Sequence, residues 1–334
     1  MSLASGRMVV EALIQQGYDV GALTIGRDGA WALSAGAALP ASDPHPQDDL
    51  PMTATPRETL AGLQNLADAD VVFLALHGRF GEDGTLQGML ETVGLPYTGS
   101  GPLASALSMH KEKAKELLYL HGLQVPHGMV VRTEDIRNAL ESTVAEILDR
   151  IGLPVVVKPN QGGSSLGAGV AENAAELGAV LQDAARHDAD VLVEERLVGT
   201  EVTCAVVERL DGTPEAFPLI EIIPHRNTFF DFQSKYESGG ADEIVPARVS
   251  AEDARLCQEA AVRAHEALGC EGFSRTDIFL TERGPVLLEV NTIPGMTPNS
   301  LLPKAAAAHG IPFPALMDRL VQLAVRRHER HRRL

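Results

Sequence analysis

Three side chains near the C-terminus have the types and spacing to hold a divalent cation. Asp277, Glu289 and Asn291 lie on two apolar, β-prone runs, residues 273–281 and 285–291, that flank Glu282, Arg283 and Gly284. Such runs around a glycine-containing turn read as a hairpin. Centred on Arg283, the hairpin sets Asp277 opposite Glu289. Asn291, two residues on, shares the face of Glu289. Carboxylates opposed across strands repel, and a hard cation removes the repulsion. A set of oxygen donors without His or Cys suits Mg²⁺, which binds through one or two carboxylates and the phosphates of a substrate. Arg275 precedes Asp277 by two and points the same way, a cation that suggests an anionic group in transit. A surface hairpin with solvated acids would show the same spacing.

A second group of residues suits phosphate. Lys158 closes the apolar run 153–158, and a glycine-rich turn with Gly162, Gly163, Ser164, Ser165 and Gly167 follows. Glycines let backbone N–H groups approach an anion closely, and serines add donors. The turn is not a P-loop, which needs a Gly-Lys-Ser/Thr opening a helix. A partly buried ammonium without an anion is costly, so Lys158 favours phosphate over a purely structural turn. Lys111 offers a second contact, although with Lys113 and Lys115 it also fits a solvated helix face. The apolar run at 191–197 contains Glu194 and Glu195. A carboxylate or backbone group there can meet an adenine amine or ribose hydroxyls, and an acid at a strand end is the plainer alternative. His77 ends the apolar run 70–77, ahead of Gly81, Glu82, Asp83 and Gly84. Ligands of open α/β sheets sit beyond the carboxyl ends of strands, so His77 can touch a substrate or simply support the turn.

The elements that must position these groups follow from periodicity. Residues 2–16 read as a helix ended by Gly17, and 19–25 as a strand. Residues 36–56 read as a loop, 57–66 as a helix, and 70–77 as a buried parallel strand. Together they predict an N-terminal parallel βα domain over 1–99. Helices at 102–121 and 133–151, the strand ending at Lys158 and its return at 168–171 predict a small central α+β domain over 100–190. From 191 to 334 the pattern is strands at 191–195, 201–208 and 217–223, a polar loop at 225–244, a helix at 250–268, the hairpin and two closing helices. That predicts a C-terminal antiparallel-sheet domain with flanking helices.

The chain of 334 residues is 45% apolar and 22% charged, as in ordinary globular proteins. Its net charge of −17 argues against a general binder of nucleic acid or anionic membrane. The basic stretch 326–333 continues an apolar helical pattern, where cations complement a helix C-terminus. Cys204, Cys257 and Cys270 are scattered without metal-ligand spacing and suggest a reducing, cytoplasmic setting. No signal peptide and no membrane-spanning apolar run is visible.

In combination, His77-Gly78-Arg79 with Gly81-Glu82-Asp83-Gly84, Tyr97-Thr98-Gly99-Ser100-Gly101, Ala106-Leu107-Ser108-Met109 with Lys111, Gly163-Ser164-Ser165 with Gly167, Lys235-Tyr236, Arg275 with Asp277, and Glu289 with Asn291, Thr292 and Pro294-Gly295-Met296 resemble one family. They resemble the D-alanine–D-alanine ligases of the ATP-grasp superfamily, over nearly the whole chain. The resemblance implies an α/β ATP-grasp fold with ATP between the central and C-terminal units. It implies Lys111, Lys158, Ser165 and Lys235 as nucleotide contacts, Glu194 and Leu197 at the adenine, and Glu201 at the ribose. Asp277, Glu289 and Asn291 would bind two Mg²⁺, with Mn²⁺ as a substitute. Arg275 and the Gly295 N–H would stabilise an oxyanion. His77, Ser300 and Leu301 would meet the amino-acid substrates. Tyr236, on a loop over 225–244 that closes the site, would bond to Ser164, and Lys235-Tyr236 would favour D-alanine over D-lactate as second substrate. The product would be D-alanyl-D-alanine for peptidoglycan precursors, made in the cytoplasm by what is usually a homodimer.

Several positions depart from the family pattern. The chain starts inside the motif Val-Ser-Leu-x-Ser-Gly, with Met1 in the place of valine and without the strand, Gly-Gly turn and glutamate that usually precede it. The expectation is a true start further upstream, which a stop codon immediately before Met1 would overturn. Phe230 replaces a common tyrosine, His110 an aspartate and Glu195 a lysine. Two other readings remain at this stage: an ATP-binding relic unable to hold the first amino acid, and an ATP-grasp ligase for another amino-acid pair.

Overall fold

The structure is a computed structural model that describes residues 2–25, 31–35, 61–62, 64–162, 167–225 and 241–332. The chain opens with α1 (Ser2–Gln15). Gly17, at φ 88, takes the left-handed conformation that ends it. β1 (Gly21–Ile25) and β2 (Trp31–Ala35) then pair antiparallel, with Gly21 opposite Ala35. The run 70–77, expected as a full parallel strand, instead makes one parallel bridge, Val72 to Tyr97. Val72 N donates to Pro96 O and Thr98 N to Val72 O, but the next donor, Leu74 N, goes to the Thr98 hydroxyl at 3.0 Å. A side chain has taken the place of the next rung. α2 (Thr85–Val93) packs Leu86 and Leu90 against this segment, in a small core with Leu66, Leu74, Tyr97 and Ile293.

Residues 102–121, expected to hold helices, form α3 (Pro102–Met109) and α4 (Lys111–Leu120), separated at His110, whose extended φ −91 and ψ 93 let it bridge to Gln161. A second sheet follows. Its strands β3 (Gly128–Arg132), β4 (Val155–Pro159), β5 (Gly169–Ala171) and β6 (Asp190–Glu195) lie in the order β3-β6-β4-β5. Val155, Val157, Val191 and Val193 face a core made with α5 (Thr133–Asn138), α6 (Leu140–Arg150) and α7 (Ala174–Ala184). Strand alternation therefore turns Val156, Lys158, Leu192 and Glu194 to the other face.

The third sheet has six strands: β7 (Thr200–Glu208), β8 (Pro214–Ala216), β9 (Ile220–Pro224), β10 (Ala241–Ile244), β11 (Phe273–Thr281) and β12 (Gly284–Asn291), ordered β10-β9-β7-β11-β12 with β8 also on β7. The end of the expected loop 225–244 is thus β10, and residues 226–240 lie outside the described residues. One sheet face, with Val202, Cys204, Val206 and Ile278, packs on α8 (Ala251–Ala267). The Ser250 hydroxyl caps that helix by accepting from Asp253 N at 3.1 Å, and Glu252 and Asp253 complement its dipole. The other face, with Ala205, Val207 and Phe273, packs on α1, α9 (Leu301–Ala308) and α10 (Phe313–His331). Among the described residues no helix is long and apolar enough to cross a membrane.

The basic end of α10 does more than complement a helix terminus. Arg327 is buried, lies 4.0 Å over the Tyr97 ring, donates to Gly99 O and pairs with Glu271 at 3.7 Å. It fastens the last helix to the Tyr97–Gly101 turn. Arg327→Met keeps the apolar stem but leaves Gly99 O without this donor. It should destabilise the protein by about 2–3 kcal/mol, read as a lower urea midpoint at unchanged slope.

Candidate active site

The β11–β12 hairpin sets Asp277 opposite Glu289 and Arg275 opposite Asn291. It does so through a device absent from the sequence reading. The turn is Glu282–Arg283, with Thr281 opposite Gly284 at φ 92, and the ladder runs in that register to Ile278 opposite Leu287. It then shifts by one, so Leu288 is extra. Leu287 and Val290, three apart, both join Ile278 in the core. Without the bulge Glu289 would share the core face of Leu287, because side chains alternate with period two. The bulge reverses the parity and turns Glu289 and Asn291 to the side of Arg275 and Asp277.

On that side Asp277 is already well held. Its Oδ1 accepts from Thr203 Oγ1 at 2.7 Å and Arg275 Nε at 2.9 Å, and its Oδ2 from Arg275 Nη2 at 2.8 Å and Asn291 Nδ2 at 3.4 Å. Arg275 thus answers the repulsion between the opposed carboxylates with a two-pronged ion pair. Two carboxylates and an amide on one face still form an oxygen-only donor set that fits Mg²⁺ or Mn²⁺. Among the described residues no group of three or more His, Cys, Asp or Glu is placed to hold a metal ion. A cation here would need oxygens from a ligand as well. Glu201, opposite Phe279 on β7, lies along the same face as Thr203 and Asp277.

Facing this hairpin is a buried charge cluster. Glu194, 3% exposed, pairs with Lys158 at 2.7 Å and with Lys115. Lys158 lies opposite Leu192, which places Glu194 diagonally across the β4–β6 pair. Burial alone would raise the Glu194 carboxyl, yet Lys115 and Lys158 hold it below the usual range. Burial would likewise lower Lys158, but Glu194 and then Glu289 raise it. Lys115 goes the other way: burial, reinforced by Lys158, lowers it against the pull of Glu194. The field of Glu289 reaches both lysines, so the cluster and the hairpin are electrostatic neighbours. Lys115 was grouped in sequence with a solvated face. It lies instead on the buried stripe of α4 with Ala114 and Leu118.

His77 is 7% exposed and clamped by the first turn of α1. His77 N donates to Ser2 Oγ at 3.1 Å, the ring Nε2 lies 3.5 Å from Ser5 Oγ, and Nδ1 lies 3.8 Å from Glu82. The fully buried Ser5 hydroxyl also accepts from Met296 N at 3.2 Å. One serine therefore joins the His77 turn to the backbone beside Gly295. Ser300 opens α9, but its hydroxyl turns back to Thr297 at 2.8 Å and leaves the first turn without a side-chain cap. Such a terminus favours a carboxylate ligand. Leu197 is half-buried in the turn between β6 and β7. Ser164, Ser165, Lys235 and Tyr236 lie outside the described residues.

Models of the D-ala D-ala ligase N-terminus and C-terminus match residues 1–100 and 117–322. The D-alanine–D-alanine ligase of Mycolicibacterium smegmatis is 40% identical over 98% of this chain and 92% of its own. That of Geotalea uraniireducens is 41% identical over 97% and 91%. The chain belongs to the D-alanine–D-alanine ligase family. Solved relatives agree. The ligase from Coxiella burnetii superposes with a TM-score of 0.80 at 29% identity, covering 99% of this chain and 91% of that one. The VanG D-Ala:D-Ser ligase from Enterococcus faecalis gives 0.77 at 33%, covering 96% and 94%.

Two departures from the ligase family pattern find their structural setting here. His110, in place of aspartate, is a poor N-cap for α4, and its Nδ1 accepts from Lys113 N at only 3.4 Å. Asn160, fully buried at the end of β4, supplies the better cap: its Oδ1 accepts from Glu112 N at 2.9 Å and its main-chain O from Lys111 N at 3.0 Å. Lys111 Nζ in turn donates to Gly162 O at 2.7 Å. Glu195, in place of lysine, accepts from His127 N at 2.9 Å and pairs with Arg283 of the hairpin turn at 2.7 Å. Asn160→Ala should destabilise the protein by about 1–2 kcal/mol, the worth of a lost cap. Adding His110→Asp should restore at least half of that, since aspartate caps from within the helix. Thermal melts of the single and double variants check both.

Proposed function

We propose that this enzyme joins two D-alanines to D-alanyl-D-alanine at the expense of ATP, for peptidoglycan precursors. The observation that carries this reading is the meeting of the Asp277–Glu289 face with the Lys115–Glu194–Lys158 cluster. Oxygen ligands for a hard cation then adjoin Lys158, whose ammonium group is suited to phosphate. Family membership supports ATP use, and one solved relative, from Bacillus anthracis, is described as complexed with ATP.

A carboxylate is a poor acylating agent, so one of its oxygens must first gain a leaving group. Lys111 and Lys158 hold the ATP phosphates and orient the γ-phosphoryl group toward a carboxylate oxygen of the first D-alanine. The bond from that phosphorus to the bridging oxygen breaks, ADP departs, and an acyl phosphate remains. Asp277, Glu289 and Asn291 would hold Mg²⁺ or Mn²⁺, whose chemistry is to neutralise charge on the phosphates. The carboxylate of Glu194 is committed to lysines, and the adenine lies beside Glu194 and Leu197, with Glu201 at the ribose. The unprotonated amine of the second D-alanine then adds to the acyl carbon. Arg275 and the Gly295 N–H stabilise the oxyanion, and the tetrahedral species expels phosphate, which carries off the proton that the amine nitrogen gives up. Ser300 and the Leu301 N–H receive the second carboxylate, and His77, steadied by Ser5, borders the first substrate. The family resemblance assigns Ser164, Ser165, Lys235 and Tyr236 the role of keeping water from the acyl phosphate.

Asp277→Asn and Glu289→Gln should each lower ATP-dependent phosphate release with D-alanine by at least about 100-fold. Undiminished turnover in either folded variant would remove the basis of the proposal. With Lys235-Tyr236 in place, D-alanine should be the best second substrate in a panel with D-serine and D-lactate, measured by product chromatography. Preference for D-serine would move the assignment toward the activity named for the Enterococcus relative.

A further inference from the structure

Glu194 has two cationic partners, and one carboxylate does not need two. Lys115 is 6% exposed and Glu194 3%, so both lie inside the protein. Lys158 also pairs with Glu194 at 2.7 Å, but its side chain is more open, at 14%, and it stands where β4 runs into the glycine-rich turn. Lys111, one helical turn before Lys115, reaches that turn as well. Helix α4 therefore sends one lysine to the turn and another beneath the sheet.

Resting on the ATP-binding role proposed above, we propose that Lys115 is a positioning residue for the nucleotide. It is the standing counter-ion of Glu194, and by satisfying that carboxylate it leaves Lys158 able to exchange Glu194 for phosphate. The physical reason is the cost of an unpaired buried charge. Removing one partner of a buried pair is strongly unfavourable. If Lys158 were the sole partner of Glu194, its departure to ATP would strand a buried carboxylate, and that penalty would weaken nucleotide binding. With Lys115 in place, Glu194 stays paired before and after the exchange. Burial and the neighbouring Lys158 lower the pKa of Lys115 to about 7, and the negative potentials of Glu194 and Glu289 offset part of that fall.

The proposal makes a prediction that a direct nucleotide contact would not. Lys115→Met should raise the KM for ATP at least tenfold while kcat at saturating ATP stays within threefold, because only the availability of Lys158 changes. Glu194→Gln added to it should recover much of that loss, because a neutral amide no longer retains Lys158. In the Glu194→Gln background Lys115 has no carboxylate to satisfy, so adding Lys115→Met should change the Kd for ATP less than threefold, by calorimetric titration. A folded Lys115→Met enzyme with an unchanged KM overturns the idea. Should that single variant not fold, the paired comparison decides: a tenfold or larger loss between Glu194→Gln and the double variant means that Lys115 acts on ATP directly, and the idea fails. Wild-type protein that neither binds ATP nor releases phosphate with D-alanine would instead refute the assigned activity.

Discussion

The site depends on a single extra residue in a β-ladder. Leu288 has no partner across the hairpin, and that one unpaired position decides which side of β12 carries its acids. On one side of the bulge the strand obeys the core, with Leu287 against Ile278. Beyond it the same strand obeys the chemistry, with Glu289 and Asn291 beside Asp277. A regular ladder would drive a carboxylate among apolar side chains. Bulges recur next to active sites because they re-aim side chains without moving the whole strand. The rest of the arrangement follows from that orientation: the two prongs of Arg275, the hydroxyl of Thr203 and the field of Glu289 at the buried lysines.

Among the described residues, Asp277 and Glu194 both have hydrogen-bond or ion-pair partners on other elements. Asp277 is held from its own strand and from β7, and Glu194 from α4 and β4. Pairs that span elements do two things at once. They compensate desolvation and they fix how the central sheet, the helix before it and the hairpin sit together. Glu195 adds a further tie, from the end of β6 to Arg283 at the hairpin turn.

Much of this was legible before any coordinates. The opposition of Asp277 and Glu289 follows from a short hairpin and a period of two, and the lysine before a glycine-rich turn was informative because ammonium groups resist burial. The bulge was not read, although the apolar positions 286, 287, 288 and 290 already break strict alternation. Lys115 was missed because Lys111, Lys113 and Lys115 look like a charged face. Spacing by three from Leu118 was the signal that it belongs with the buried stripe. The run 70–77 misled in the opposite direction. Its apolar character promised a ladder, but a threonine hydroxyl took the next hydrogen bond, a tertiary choice that no local pattern encodes. Ser5 stood in a motif but gave no sign of its tethering role, and Asn160 carried no sequence signal, since their partners, Met296 and Glu112, lie far away along the chain.

The distance from Ser5 to Met296 has a consequence for how the chain is made. Val9 and Leu13 of the opening helix share a core with Leu316 and Leu320 near the other end. That helix leaves the ribosome long before Leu316 and Leu320 do, so its apolar stripe must wait for its partners. Contacts so remote in sequence form late and slowly, and the nascent stripe must stay soluble until then. The polypeptide thus becomes competent only when these two remote segments are joined.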